Sequence, residues 1–260
     1  MDLGIRNKVV LVTGASRGIG PIIAQALARE GCRVALAARD QALLDQRAAE
    51  IKAEGGEAAG FSFDLRMRES GAALVDAVVR KFGQIDVIVA NAGSARLGDF
   101  LELTDDQWEE GFALKFFGQM RLIRAAWPVL KKSHGTIIMV AGSAGRTPSI
   151  ESSITGSVNS AMLNLTKTLA IRGLGDGIRI NAINPGAFQT HRYLERIANG
   201  MKKLGKNEAE VEQHLAAGRN NAPLGNSEDM AGLVCFLASA QSKHIHGAVI
   251  DIDGGKTRTL

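Results

Sequence analysis

Short apolar runs alternate along the chain with longer stretches whose apolar residues recur every three or four positions. The runs at 9–12, 33–38, 57–63, 85–90, 136–140, 178–183 and 248–252 are rich in Val, Ile and Ala. Near-continuous apolar runs of this length predict strands covered on both faces. The stretches 22–29, 42–53, 71–82, 107–130 and 160–172 carry the helical period. Strand and helix in alternation predict βαβ units, hence an α/β fold built on a doubly wound, mostly parallel sheet of about seven strands with helices on both faces. Thr104-Asp105-Asp106 supplies an N-terminal cap for the fourth helix. The polar stretch 200–225 is the least regular, and it reads as a cap over a pocket within a substrate lid at about 188–225.

Composition narrows the class. The 260 residues are 45% hydrophobic and 22% charged, which suits one globular domain spanning 1–260 with a large core. The net charge is +4, but the basic residues are dispersed, the tightest groups being pairs such as Lys131-Lys132 and Lys202-Lys203. A nucleic-acid partner calls for a basic stripe, so none is expected. Cys32 and Cys235 lie far apart in apolar surroundings and read as buried reduced thiols rather than a disulfide or metal pair; no metal is expected. The first residues run straight into a strand with no signal-peptide pattern, and no run approaches the roughly 18 apolar residues of a membrane span. The expectation is a cytoplasmic protein with a small-molecule substrate.

The first strand leads into Thr13-Gly14-Ala15-Ser16-Arg17-Gly18-Ile19-Gly20, and a helix follows. Glycines between strand and helix permit a tight turn and close backbone approach, and the helix N-terminus offers N–H groups to a pyrophosphate. That context makes a Rossmann-type dinucleotide site the reading over a bare glycine-rich turn. The second strand ends Ala37-Ala38-Arg39. Arg39 and Arg17 suit a ribose 2′-phosphate, which favours NADP(H) over NAD(H). Asp40 complicates this, but it follows Arg39 and begins the next helix.

With Asp64-Leu65, Asn91-Ala92-Gly93, Asn184-Pro185-Gly186 before Thr190, and Asp253-Gly254-Gly255 added, the chain resembles the short-chain dehydrogenase/reductase superfamily along nearly its whole length. The resemblance implies that Asp64 meets the adenine and that Asn91-Ala92-Gly93 lines the adenine-ribose side. It places Pro185-Gly186 through Thr190 at the nicotinamide end and Asn159 near the cofactor. It also implies a homotetramer or homodimer, formed through the helices at 107–130 and 160–172 and a second interface at 245–255.

The resemblance breaks at the catalytic group. Members of the family use a tyrosine to protonate the carbonyl oxygen, a lysine to lower its pKa, a serine and an asparagine. Flanking anchors place these at Thr155, Asn159, Gly142 and Lys115, so all four are replaced. The chain's one tyrosine, Tyr193, lies elsewhere. Threonine and asparagine do not titrate near neutral pH, so neither serves as the acid. Lys115 is a candidate acid or electrostatic clamp, against its alternative as a surface lysine on a long helix. Tyr193 and His191 are candidates to supply a proton or bind substrate, against lid roles, and Ser143 stands beside the lost serine.

A narrower resemblance is to an atypical subgroup lacking the tetrad, the conjugate reductases of bacilysin biosynthesis. It rests on Lys115, Gly142, Asn159, Thr190-x-Arg192-Tyr193 and Met201-Lys202-Lys203, with Thr155 departing from it. It implies hydride addition to an activated C=C or conjugated carbonyl, where the developing charge is remote from the attacked carbon and water can deliver the proton. Arg192, Lys202 and Lys203 would suit a carboxylate substrate, or be solvated lid charges. The alternatives are a catalytically silent dinucleotide-binding protein and a conventional 3-oxoacyl or alcohol reductase.

Overall fold

The structure, a computed structural model, describes residues 2–93, 96–219 and 221–258; of His191 and Arg192 it describes the backbone alone. Seven parallel strands form one sheet in the order β3-β2-β1-β4-β5-β6-β7. They are β1 (Val9–Thr13), β2 (Arg33–Ala38), β3 (Glu57–Ser62), β4 (Val87–Ala90), β5 (Thr136–Val140), β6 (Arg179–Pro185) and β7 (Val249–Ile252). Their ends differ from the sequence expectation by one or two residues at most. Side chains alternate across the sheet, so Val10 and Val12 enter one core and Val9 and Leu11 the other.

The first core is closed by α1 (Ile19–Arg29), α2 (Gln41–Ala53) and α9 (Ser227–Ala238). The second is closed by α3 (Ser70–Phe82), α5 (Gln119–Ser133) and α6 (Ser153–Leu174). Leu122 of α5 is fully buried there; burying one leucine contributes about 2 kcal/mol. Cys32 and Cys235 are both buried, unpaired and in the first core. Burial pushes each thiol up to about 12, so neither is a thiolate near neutral pH.

Three helical expectations are corrected. The stretch expected as one helix over 107–130 is α4 (Asp105–Phe112), a π-helical turn over Ala113–Gly118, and α5. Apolar periodicity does not register the extra residue of a π turn. The helix expected at 160–172 begins at Ser153, because polar Thr155 and Ser157 disguise a first turn anchored by buried Ile154 and Val158. The stretch 200–225, expected to be the least regular, is mostly helical: α7 (His191–Leu204) leads into α8 (Glu208–Gly218). A capping box starts α8, with Asn207 N–H donating to Glu210 Oε2 and Glu210 N–H to Asn207 Oδ1, both at 3.0 Å. Thr104 does start α4 as expected, its N–H donating to Gln107 Oε1 at 3.2 Å.

Candidate functional site

The strand order reverses between β1 and β4, and the turns leaving these two strands meet at their carboxyl ends, the crevice where open α/β sheets bind ligands. Thr13 ties them together. Its hydroxyl accepts the Asn91 and Ala92 N–H groups at 3.0 and 2.9 Å and the Gln119 amide at 3.1 Å. Gln119 Nε2 also donates to Ala92 O at 2.8 Å, and Asn91 Nδ2 to Thr13 O at 2.9 Å. This puts Asn91, Ala92 and Gly93 directly against the Gly14–Gly20 turn. Sequence reasoning missed Gln119, whose one signal is its place a turn after Lys115.

The glycine turn is built for close approach. Gly14 and Gly18 take positive φ of 68° and 70°. A Cβ on Gly20 would stand 2.2 Å from Gly14 O, whereas one at Gly18 would meet nothing within 4 Å. The turn is thus packed on its inner side and open at Gly18, where Ile19 begins an 11-residue helix with no acidic residue in its first turn. Ser16 and Arg17 ride on this loop. The donor set fits a dinucleotide pyrophosphate.

Around it lies a charged rim. Arg17 Nη2 is 3.6 Å from Asp40 Oδ2, with both side chains exposed. Asp40 caps α2, accepting from Leu43 N–H at 3.1 Å. Arg39 is exposed beside it. Arg66 grips Asp64 with Nη2–Oδ2 at 2.6 Å and holds its carboxyl below the usual carboxylate range, burial opposing. Leu65 is buried next to it. Pro185 ends β6, Gly186 N–H donates to Ile252 O at 3.0 Å, and Thr190 caps α7.

Lys115, Gly142, Thr155 and Asn159 lie on the π turn, on the turn after β5 and on α6. Lys115 sits on the π turn, with its stem across Gly93, where a Cβ would fall 2.8 Å from Lys115 Cδ. Its ammonium donates to Ala141 O at 2.6 Å and is partly buried. It therefore points inward, toward the turn after β5, and not outward from a regular helix. Thr155 and Asn159 lie one turn apart on α6. Thr155 Oγ1 and Asn159 Oδ1 are buried without a hydrogen-bond partner among the described residues. Asn159 packs under Gly142: a Cβ there would lie 2.7 Å from Asn159 Nδ2, and one at Gly145 2.9 Å from Asn159 Cβ. Gly142 and Asn159 are a matched pair. Gly142→Ser is expected to cost about 1–3 kcal/mol by overpacking, measured by urea denaturation, and pairing it with Asn159→Ala should recover most of that loss. A neutral single variant would show that Asn159 moves aside freely.

Tyr193 forms a small separate core with Ile197 and Val211. The Tyr193 hydroxyl donates to Glu212 Oε2 at 2.5 Å and accepts from Arg219 Nη1 at 2.9 Å, and Arg219 pairs with Glu212 at 2.9 Å. Burial and the Glu212 bond push its pKa above that of a free phenol. Lys202 and Lys203 are exposed on the last turn of α7. The His191 and Arg192 side chains lie outside the described residues.

The chain as a whole is matched in known proteins. The family model described as enoyl-(acyl carrier protein) reductase covers residues 14–257. The short chain dehydrogenase/reductase nsrJ of Aspergillus novofumigatus is 32% identical over 258 residues, covering 96% of this chain and 95% of that protein. This chain belongs to the short-chain dehydrogenase/reductase superfamily. Human dehydrogenase/reductase SDR family member 4 is 30% identical across 98% of this chain and 90% of its own length. The L-sorbose reductase of Gluconobacter frateurii, solved with NADPH and L-sorbose, superposes with a TM-score of 0.92 at 30% identity over the whole of both chains. Within this chain, Gly142 and Asn159 pack against one another.

Proposed function

We propose that this protein is an NADP(H)-dependent reductase of conjugated double bonds or conjugated carbonyls, with Lys115 as its electrostatic clamp. The observation that carries this is the inward ammonium of Lys115, fixed at Ala141 O on a π turn; such turns recur at functional sites. A bound nicotinamide dinucleotide would supply the hydride. Gly14, Ser16, Gly18, Ile19 and Gly20 would cradle its pyrophosphate, with Asp64, Leu65 and Asn91-Ala92-Gly93 at the adenosine side. Asn159, Pro185, Gly186 and Thr190 would stand at the nicotinamide side. Arg17 and Arg39 support the 2′-phosphate form, as does the NADPH-bound state of the L-sorbose reductase. The Arg17–Asp40 contact does not oppose it strongly, because exposed pairs of this kind are worth at most about 1 kcal/mol.

When hydride reaches the β-carbon of an enone, the electron pair of the C=C shifts toward the carbonyl oxygen. Lys115 holds that oxygen's negative charge, and water returns a proton to the α-carbon. This requires no side-chain acid at position 155. Tyr193 stays out of the reaction, because its hydroxyl is committed to Glu212 and Arg219. The lid over 188–225 covers the site. Comparing NADPH consumption with simple ketones and with conjugated enones tests the reading. Turnover of enones alone is the expected result. Turnover of simple ketones at comparable rates would sink it and favour a conventional reductase, and NADPH binding without any turnover would favour a silent dinucleotide-binding protein.

A further inference from the structure

Lys256 belongs to no motif that the dinucleotide uses, yet it reaches the same turn as Lys115. It follows Asp253-Gly254-Gly255, and its Nζ donates to Ser143 Oγ at 3.3 Å. Ser143 is buried and lies two residues from Ala141, whose carbonyl accepts the Lys115 ammonium. Two ammonium groups, one from the middle of the chain and one from its C-terminal segment, therefore reach the turn after β5, at Ala141 and at Ser143. The Lys256 side chain is half-buried. An ammonium carries three donor hydrogens, and Ser143 Oγ is the single hydrogen-bond partner of this one among the described residues.

The charges around Lys256 do not neutralise it. No ion pair joins it to a carboxylate among the described residues. Arg196 of α7 adds like charge. Asp253 is nearby and held by the turn, Oδ1 accepting Gly255 N–H at 3.0 Å and Oδ2 accepting Thr257 N–H at 2.7 Å, without a direct ion pair to Lys256. Burial, with Arg196, lowers the Lys256 pKa, and Asp253 only partly opposes this. A half-buried cation with spare donors, a second cation beside it and no paired carboxylate is the arrangement an anionic ligand completes.

We infer that Lys256, held by Ser143, binds the carboxylate of an enone acid whose conjugated oxygen lies at Lys115, and so sets the specificity of the site for anionic substrates. This rests on the reading of Lys115 given above. It moves carboxylate recognition away from the exposed lid lysines Lys202 and Lys203 to a buried residue on the C-terminal segment.

The test uses the full-length protein with NADP⁺ and two probes, (E)-4-oxopent-2-enoate and its methyl ester, titrated by calorimetry. Wild type is expected to prefer the acid by about tenfold or more, the usual worth of a charge-assisted contact. Lys256→Gln should bring the ratio of the two affinities to about one, and Lys256→Arg should keep much of the preference. A wild-type protein that binds the acid no better than the ester, or a Lys256→Gln variant that keeps the preference, overturns the inference. Should Lys256→Gln not fold, the wild-type ratio and Lys256→Arg still decide it. Acid preference without enone turnover would refute the reductase reading and leave the carboxylate site standing. Enone turnover without acid preference would do the reverse.

Discussion

Lys115→Ala is expected to lower enone turnover by about 100- to 1000-fold, the usual consequence of removing one preorganised charge-stabilising donor. NADPH affinity should stay within about threefold, less than 1 kcal/mol, because the ammonium is anchored at Ala141 O and not at the glycine turn. The variant also removes the aliphatic stem that lies over Gly93. Lys115→Met keeps that stem and deletes only the charge, so it separates packing from electrostatics. Equal losses in both variants, carried by kcat with KM little changed, would identify the charge as the active element. A full loss in Lys115→Ala with near-normal Lys115→Met would make the residue a spacer. Unchanged turnover in both would take Lys115 out of the chemistry.

The parts of this molecule that sequence displays well are those governed by a single period. Most of the seven strands are short apolar runs closed by turn residues, and all seven lie where the alternating pattern predicts them. The glycine turn is equally legible, because strand, spacing and helix coincide there. What sequence hid depends on packing between distant segments. The π turn leaves the apolar pattern over 107–130 intact, so nothing in that pattern shows that Lys115 turns inward. The first turn of α6 is polar on its outer side and escapes notice, although it carries Thr155. Polar composition made 200–225 look irregular, while capping at Asn207 and a buried Val211 organise it as helix. Lys256 gave no signal, because its partner Ser143 is more than a hundred residues away in the chain.

The altered residues also explain one another. On the reading that the family's serine, tyrosine and lysine positions fall at Gly142, Thr155 and Asn159, Asn159 occupies space that a side chain at 142 would claim. The Lys115 ammonium reaches the same turn, at Ala141 O. On the proposed reading, the missing proton donor accompanies an inward charge that reaches the same turn. Such a change suits a reaction in which charge stabilisation matters more than direct proton transfer.

Gly20→Ala should abolish most dinucleotide binding, and it tests the cofactor half of the molecule independently of the reaction. A methyl group there would stand 2.2 Å from Gly14 O and 2.9 Å from Asn91 Nδ2. The first of these atoms is backbone, so the turn itself must move. The expected costs are about 3 kcal/mol of stability, near the upper end for overpacking, and a loss of NADPH affinity of at least about 100-fold, or 2.7 kcal/mol. Gly18→Ala is the contrast. Its methyl meets no atom within 4 Å, so the penalty is the backbone at φ 70° and ψ −135°, a region side chains rarely adopt, about 1–3 kcal/mol. That methyl would project into the open side of the turn, so affinity there should fall by more than stability does. Urea denaturation and NADPH fluorescence titration of both variants read the two quantities separately. An NADPH affinity within about threefold of wild type in Gly20→Ala would mean that the turn is not where the pyrophosphate binds.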